Sequence, residues 1–298
     1  MRDMAIKGAG VHVKNKIRTV ILIILLAFIV IIATMRLIKK EVPMSVSIFS
    51  WHWEEMQAEE WKPLLQVMDR LGVQEVYQDF DMEQSSEMRK DFWELLKEKN
   101  YKAYYLCGDP KWAYPSRWER VLQAIEEAAL LAEESQGTLK GIVFDVEPYT
   151  MEEWEEEEEA GRLMKDYAAT MKKAYDEAAG YGLEVILCIP NFFDDEYGEE
   201  LETLIRDCCD GIAVMNYSKD GQIERIRAEA ELAYQYDKVL IHISEVQKGD
   251  ASEVTRQMQE TRTLWNSIRR EYPDEKLKFS YHHLGTLTDV YAEDKDYE

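Results

Sequence analysis

Gly141-Ile-Val-Phe-Asp-Val-Glu-Pro148 is a short apolar run that ends in two carboxylates and a proline. The two-residue period of a strand sends Asp145 and Glu147 to one side and Phe144 and Val146 to the other, toward helices. This run is the fourth of eight: Ser45–Phe49, Gln74–Phe80, Ala103–Cys107, Gly141–Glu147, Glu184–Pro190, Gly211–Tyr217, Lys238–Ser244 and Leu277–Tyr281. Longer amphipathic stretches separate them, and that alternation argues for βα units on a parallel sheet. Eight units in the roughly 255 residues that follow the N-terminal segment make an α/β protein of one (β/α)8 TIM barrel, assigned to 44–298. A doubly wound open sheet is the alternative, but it would not naturally give eight evenly spaced strands.

Helix starts support the count. Ser116-Arg-Trp-Glu119, Thr150-Met-Glu-Glu153 and Asp250-Ala-Ser-Glu253 each place a short oxygen side chain three residues before a glutamate, the signature of a capping box. The glutamate-dense stretch 152–159 reads as a solvated helix start whose acids complement the helix dipole. Only 17 residues follow the eighth run, so the last helix is expected to be short or missing.

Between Arg18 and Arg36 lie 17 uncharged residues, Thr19–Met35, almost all apolar. That length just spans a bilayer, and the cations at both ends fit a transmembrane anchor better than a buried core helix. A signal peptide would have a shorter apolar region and a small-x-small cleavage site. Five basic residues precede the segment, against Arg36, Lys39 and Lys40 after it, which places 1–18 in the cytoplasm. Residues 36–43 are then a linker, and the barrel faces outward from a single-pass protein at the cell membrane.

A formal net charge of −23 argues against a nucleic-acid partner, because phosphate binding needs clustered Lys and Arg. An uncharged ligand fits better. The four cysteines show neither a disulfide framework nor a CxxC metal pattern, and His282 and His283 are neighbours that a strand would point to opposite faces. No metal site and no cofactor is expected.

In such a barrel the active site lies at the C-terminal ends of the strands. Those ends carry Trp51, His52 and Trp53, then Asp79, then Asp109 with Trp112 near Tyr105, then Asp145, Glu147 and Tyr149. After these come Asn191, Met215 with Tyr217, Glu245, and Tyr281 with His282 and His283. Paired acids on one inner face suit acid catalysis, because one charge raises the pKa of the other and keeps it protonated near neutrality. Glu147 is the expected acid. Trp51, Trp53, Trp112 and Tyr149 stand at loop starts, where an apolar ring face can meet the C–H face of a sugar. On the sixth run, alternation turns Met215 and Tyr217 inward and Asn216 outward.

At these two strands the chain resembles the family 18 glycoside hydrolases, the chitinases and endo-acting hexosaminidases, whose fourth strand ends in Asp-x-Glu and whose sixth carries Met-x-Tyr. Asp145, Glu147, Met215 and Tyr217 match. The resemblance implies that Glu147 protonates the glycosidic oxygen. Asp145 would orient and stabilise the substrate's 2-acetamido group as it attacks the anomeric carbon, and Tyr217 would hydrogen-bond the acetamido carbonyl. Such substrate-assisted retention departs from the two-carboxylate scheme. The chain is a divergent case: the two further aspartates of the family's fourth-strand signature align with Lys140 and Val143. The third-strand Ser-x-Gly-Gly is not recognisable around Leu106-Cys-Gly-Asp109, and Tyr281 stands for the eighth-strand tryptophan.

The expected function is a membrane-anchored glycosidase on N-acetylhexosamine glycans, chitin-like or of the cell wall. Trp51, Trp53, Asp79, Tyr105, Asp109, Trp112, Tyr149, Asn191, Met215 and Tyr281 are the candidate substrate-binding residues. One alternative is a non-catalytic glycan-binding barrel at the envelope. Another is a retaining glycosidase that pairs Glu147 with Glu245; it ranks lower because, with Val239, Ile241 and Ile243 facing the helices, Glu245 falls on the outer side.

Overall fold

The structure, a computed structural model, describes residues 44–51, 61–83, 85–217, 220–282, 285 and 287. The anchor, cytoplasmic segment and linker expected over 1–43 lie outside the described residues, as do His52, Trp53 and His283. So does nearly all of the chain after the eighth strand.

Eight parallel strands close into a barrel in sequence order: β1 (Val46–Ser50), β2 (Val73–Gln78), β3 (Lys102–Cys107), β4 (Leu139–Phe144), β5 (Glu184–Pro190), β6 (Gly211–Met215), β7 (Val239–Glu245) and β8 (Leu277–His282). β8 pairs back onto β1 through Val46 and Phe279. The helices are α1 (Trp61–Leu71), α2 (Ser86–Glu98), α3 (Trp118–Glu134), α4 (Glu157–Gly180), α5 (Phe193–Glu196), α6 (Gly198–Asp207), α7 (Arg227–Gln235) and α8 (Ala251–Glu271).

The strands are apolar on both faces because both are covered. Phe49, Tyr77, Tyr104, Leu106, Val143, Ile186, Cys188, Ala213, Met215, Ile241 and Ile243 fill the barrel. Their strand neighbours Tyr105, Cys107, Ile142, Phe144, Leu187, Val214 and Phe279 pack outward against the helices. The N-terminal end of the barrel is sealed by an ion pair: Lys278 Nζ lies 2.8 and 3.0 Å from the two oxygens of Glu75, which is only 3% exposed. Polar groups at that end of a barrel serve stability.

Of the three capping boxes, one forms as read. Asp250 caps α8 by accepting the Glu253 N–H at 2.9 Å. Ser116 instead lies inside a 3-10 turn, Pro115–Arg117, and α3 begins at Trp118 without a side-chain cap. Thr150 turns its hydroxyl back to donate to the Glu147 carbonyl at 2.9 Å. An unanticipated cap is Ser85, which accepts the Met88 N–H at the start of α2. The acids Glu157, Glu158 and Glu159 do fall in the first turn of α4, where the helix dipole favours them.

Candidate active site

Strand β4 ends sooner than its sequence pattern implies. Asp145 still donates its N–H to Cys107 O at 2.9 Å, but the chain then turns, and Glu147 takes φ 50°, ψ 54°. A non-glycine residue in this left-handed region costs on the order of 1–2 kcal/mol, so the fold holds Glu147 there against its preference. Pro148 opens a 3-10 turn directly after it, which fixes where the strand must stop. Asp145 and Glu147 are both half-buried at the barrel mouth, with the Oδ1 atom of Asp145 itself buried.

The two acids are neighbours. Burial first, and the charge of Glu147 second, push the Asp145 carboxyl from its ordinary 3.8 up to about 7. Asp145 therefore keeps a proton near neutrality, because desolvation disfavours its charged form. Its Oδ1 is buried and has no hydrogen-bond partner among the described residues. Glu147 instead accepts a hydrogen bond from the Tyr149 hydroxyl at Oε1. Tyr149 therefore holds the acid rather than simply offering a ring face. Its own ring meets Phe192 edge-on at 5.3 Å, within an aromatic group that includes Trp154 and Phe193.

Tyr217 follows β6 and joins the pair. It is 36% exposed, yet burial of its hydroxyl, then Cys188, Asp145, Tyr149 and Glu147, raise that group well above its ordinary value. Its ring lies 5.5 Å from that of His282, which closes the mouth from β8. Met215 lines the interior below Tyr217, and Trp51 packs on the same inner cluster from β1.

Other candidates go elsewhere. Tyr281 points outward: it is fully buried against Trp265 of α8, ring centres 4.5 Å apart, and cannot reach substrate. The residues of β8 that face inward are out of phase with it, and His282 is the one at the mouth. Tyr105 also faces the helices and donates its hydroxyl to Glu127 at 3.0 Å. Asp109 spends a carboxylate oxygen on the Lys111 N–H at 2.8 Å, capping a 3-10 turn. Trp112 packs on the outer core, edge-on to Phe144. Asp79 is half-buried after β2, beside Cys107 and Tyr105. Asn191 does lie near the mouth and donates to Asn216 Oδ1 at 2.9 Å.

Strand β7 reverses another expectation. Ile241 and Ile243 face the interior, while Ser244 turns out to accept the Trp265 indole N–H at 2.9 Å. Glu245 is thus in phase with the inner face. It is exposed and hydrogen-bonded by Gln247.

Three positions that the sequence reading did not single out also shape the site. Phe192 is an exposed aromatic beside Tyr149. Asn216 ties β5, β6 and β7 together through its amide. Gly108 touches the Asp145 backbone so closely that an added Cβ would lie 1.8 Å from Asp145 O. Only Gly108 had a local sign, a glycine directly after a strand.

No protein-family model and no curated protein matches the sequence. Solved structures do match. The chain is similar to a chitinase from Chromobacterium violaceum with a TM-score of 0.55 and 11% identity, over 86% of this chain and 100% of the other. It is similar to a spore cortex-lytic enzyme from Bacillus megaterium with a TM-score of 0.50 and 10% identity, over 84% of this chain and 73% of the other. The fold is that of chitinase-type barrels, and at such identities the resemblance of its fourth and sixth strands to family 18 is a divergent one.

Proposed function

We propose that the barrel is a glycoside hydrolase acting on N-acetylhexosamine glycans by substrate-assisted retention. What supports this reading is that Asp145, Glu147 and Tyr217 feel one another's charge, with Asp145 raised and its buried Oδ1 lacking a partner among the described residues. A buried polar atom without a partner calls for one, and an acetamido N–H supplies it. In this scheme Glu147, held by Tyr149, protonates the leaving oxygen. The acetamido carbonyl oxygen of the substrate then bonds to the anomeric carbon as the glycosidic bond breaks. Asp145 and Tyr217 hold the group in place, and water opens the cyclic intermediate with Glu147 taking back a proton.

The test pairs two aryl glycosides, one with a 2-acetamido and one with a 2-hydroxyl group. Release of aryl from the first alone is the expected result. Equal turnover of both would overturn the mechanism, and glycan binding with no turnover would favour a non-catalytic barrel. The inward phase of Ile241 and Ile243 favours a second reading, a retaining pair of Glu147 and Glu245, since it removes the argument that Glu245 faces outward. Retaining carboxyls lie about 5–5.5 Å apart, and that mechanism has no need of the acetamido group. The same pair of substrates separates the two.

The anchoring is likewise proposed, on the apolar run Thr19–Met35 with its flanking cations. Deleting residues 1–40 should release a folded, soluble barrel, because all eight strands lie after them. Fractionation is the measurement. A truncated chain that still sediments with membranes, or a full one that does not, would refute the anchor.

A further inference from the structure

Behind the mouth, a line of hydrogen-bonded side chains runs from the half-buried Asn191 at the end of β5 to the buried Trp265 on α8. Asn191 Nδ2 donates to Asn216 Oδ1 at 2.9 Å. Asn216 Nδ2 donates to the Gln222 carbonyl at 2.7 Å and faces His242 Nε2 at 3.2 Å. Gln222 returns the bond, its Nε2 donating to the Asn216 carbonyl at 2.6 Å. His242 Nδ1 lies 3.4 Å from Ser244 Oγ, which also accepts the Trp265 N–H at 2.9 Å. Asn216, His242 and Trp265 are fully buried.

The chemistry fixes each proton in this line. A carbonyl oxygen can only accept, so Gln222 O requires the nitrogen of the Asn216 amide on its side. That nitrogen therefore donates to His242 Nε2, and the oxygen of the same amide faces Asn191. Burial pushes the His242 imidazole down to about 3, so the ring is neutral. A neutral ring that accepts at Nε2 carries its proton on Nδ1, which donates to Ser244 Oγ.

We infer that Asn216 is a positioning residue, which with His242 in its Nδ1–H form holds Tyr217 and the Asn191 amide in the orientation the site needs. The inference rests on the hydrolase reading for what is being positioned. Tyr217 is the next residue in the chain, so the two-way clasp between Asn216 and Gln222 anchors the backbone that carries the Tyr217 ring against His282 at the mouth. Asn191, held through Nδ2 to Asn216 Oδ1, has the orientation of its amide fixed, so its Oδ1 turns away from Asn216. A side chain that faces away from the substrate thereby acts through two that border the mouth.

The experiment uses nitrogen-15 NMR of His242 at neutral pH, alongside kcat and KM on the 2-acetamido aryl glycoside. Wild type should show the Nδ1–H tautomer. Asn216→Asp replaces a donor by a carboxylate that only accepts, so His242 should switch to Nε2–H, and kcat/KM should fall about tenfold, the worth of one buried hydrogen bond. Should the buried carboxylate prevent folding, a second pair of variants decides. His242→Gln keeps an acceptor toward Asn216 and should retain clearly more kcat/KM than His242→Leu, which keeps none. An Nε2–H tautomer in wild type overturns the relay, as does equal kcat/KM for Gln and Leu, or an Asp variant with unchanged kcat/KM. A wild type that turns over neither glycoside overturns the hydrolase reading instead, and there the tautomer alone decides the relay.

Discussion

Glu147→Gln should lower the rate of hydrolysis by about 10²–10⁴-fold, the usual contribution of a positioned general acid, while leaving glycan binding nearly intact. Gln keeps the shape of the side chain and can still accept from Tyr149, but it has no proton to give to a leaving oxygen. Turnover at one stopped time and binding of a chito-oligosaccharide by calorimetry separate the two effects. A Gln variant with wild-type turnover would remove Glu147 from the mechanism.

The same substitution has a second signature, because Glu147 is one of the two causes that raise Asp145. Without its charge the Asp145 carboxyl should titrate lower than about 7, though burial, the larger cause, still holds it above 3.8. The direction of the stability effect follows. The folded state keeps a proton on Asp145 between about pH 4 and 7 that the unfolded chain releases, so stability falls as pH rises through that window. Asp145→Asn removes the titration. Its melting temperature should gain on wild type from pH 4 to pH 7, and a constant difference across that range would count against a raised Asp145.

Gly108→Ala should cost both stability and activity. The added Cβ would lie 1.8 Å from the carbonyl oxygen of Asp145 and 2.4 Å from its carbonyl carbon, and neither is a flexible side-chain end that can swing aside. Backbone must move, and what moves is the strand end that carries Asp145. Overpacking of this kind typically costs about 1–3 kcal/mol. Because a small misplacement of a reacting group can itself cost about 10²-fold in rate, kcat should fall further than the melting temperature alone implies. Gly161→Ala is the control: it sits in α4 with nothing within 4 Å, and it should be neutral or stabilising by up to about 1 kcal/mol. A Gly108→Ala protein with the melting point and kcat of wild type would mean that the close approach does not set the site.

The eight strand positions were legible in the chain because each is a short apolar run bounded by turn residues, and a barrel needs nothing more to be counted. The pairing of Asp145 with Glu147 was legible too, as two acids spaced by the strand period. Phase was not. In a barrel both faces of a strand are buried, so Ile241 and Ile243 carry no mark that distinguishes the interior from the helix layer, and Tyr281 looks no different from Tyr104. The tertiary structure settled those choices: Trp265 packs against Tyr281 and draws Ser244 outward, which leaves His282 and the phase of Glu245 on the inner side.

The raised carboxyl of Asp145 was decided the same way, since desolvation is its first cause. Local sequence determined the strands, the acidic pair and the Asp250 cap, because each depends on residues within a few positions of one another. The Gly108 contact, the Asn216 relay and the proton on Asp145 depend on segments tens of residues apart. Closure of the barrel brings those segments together, and no local pattern records it.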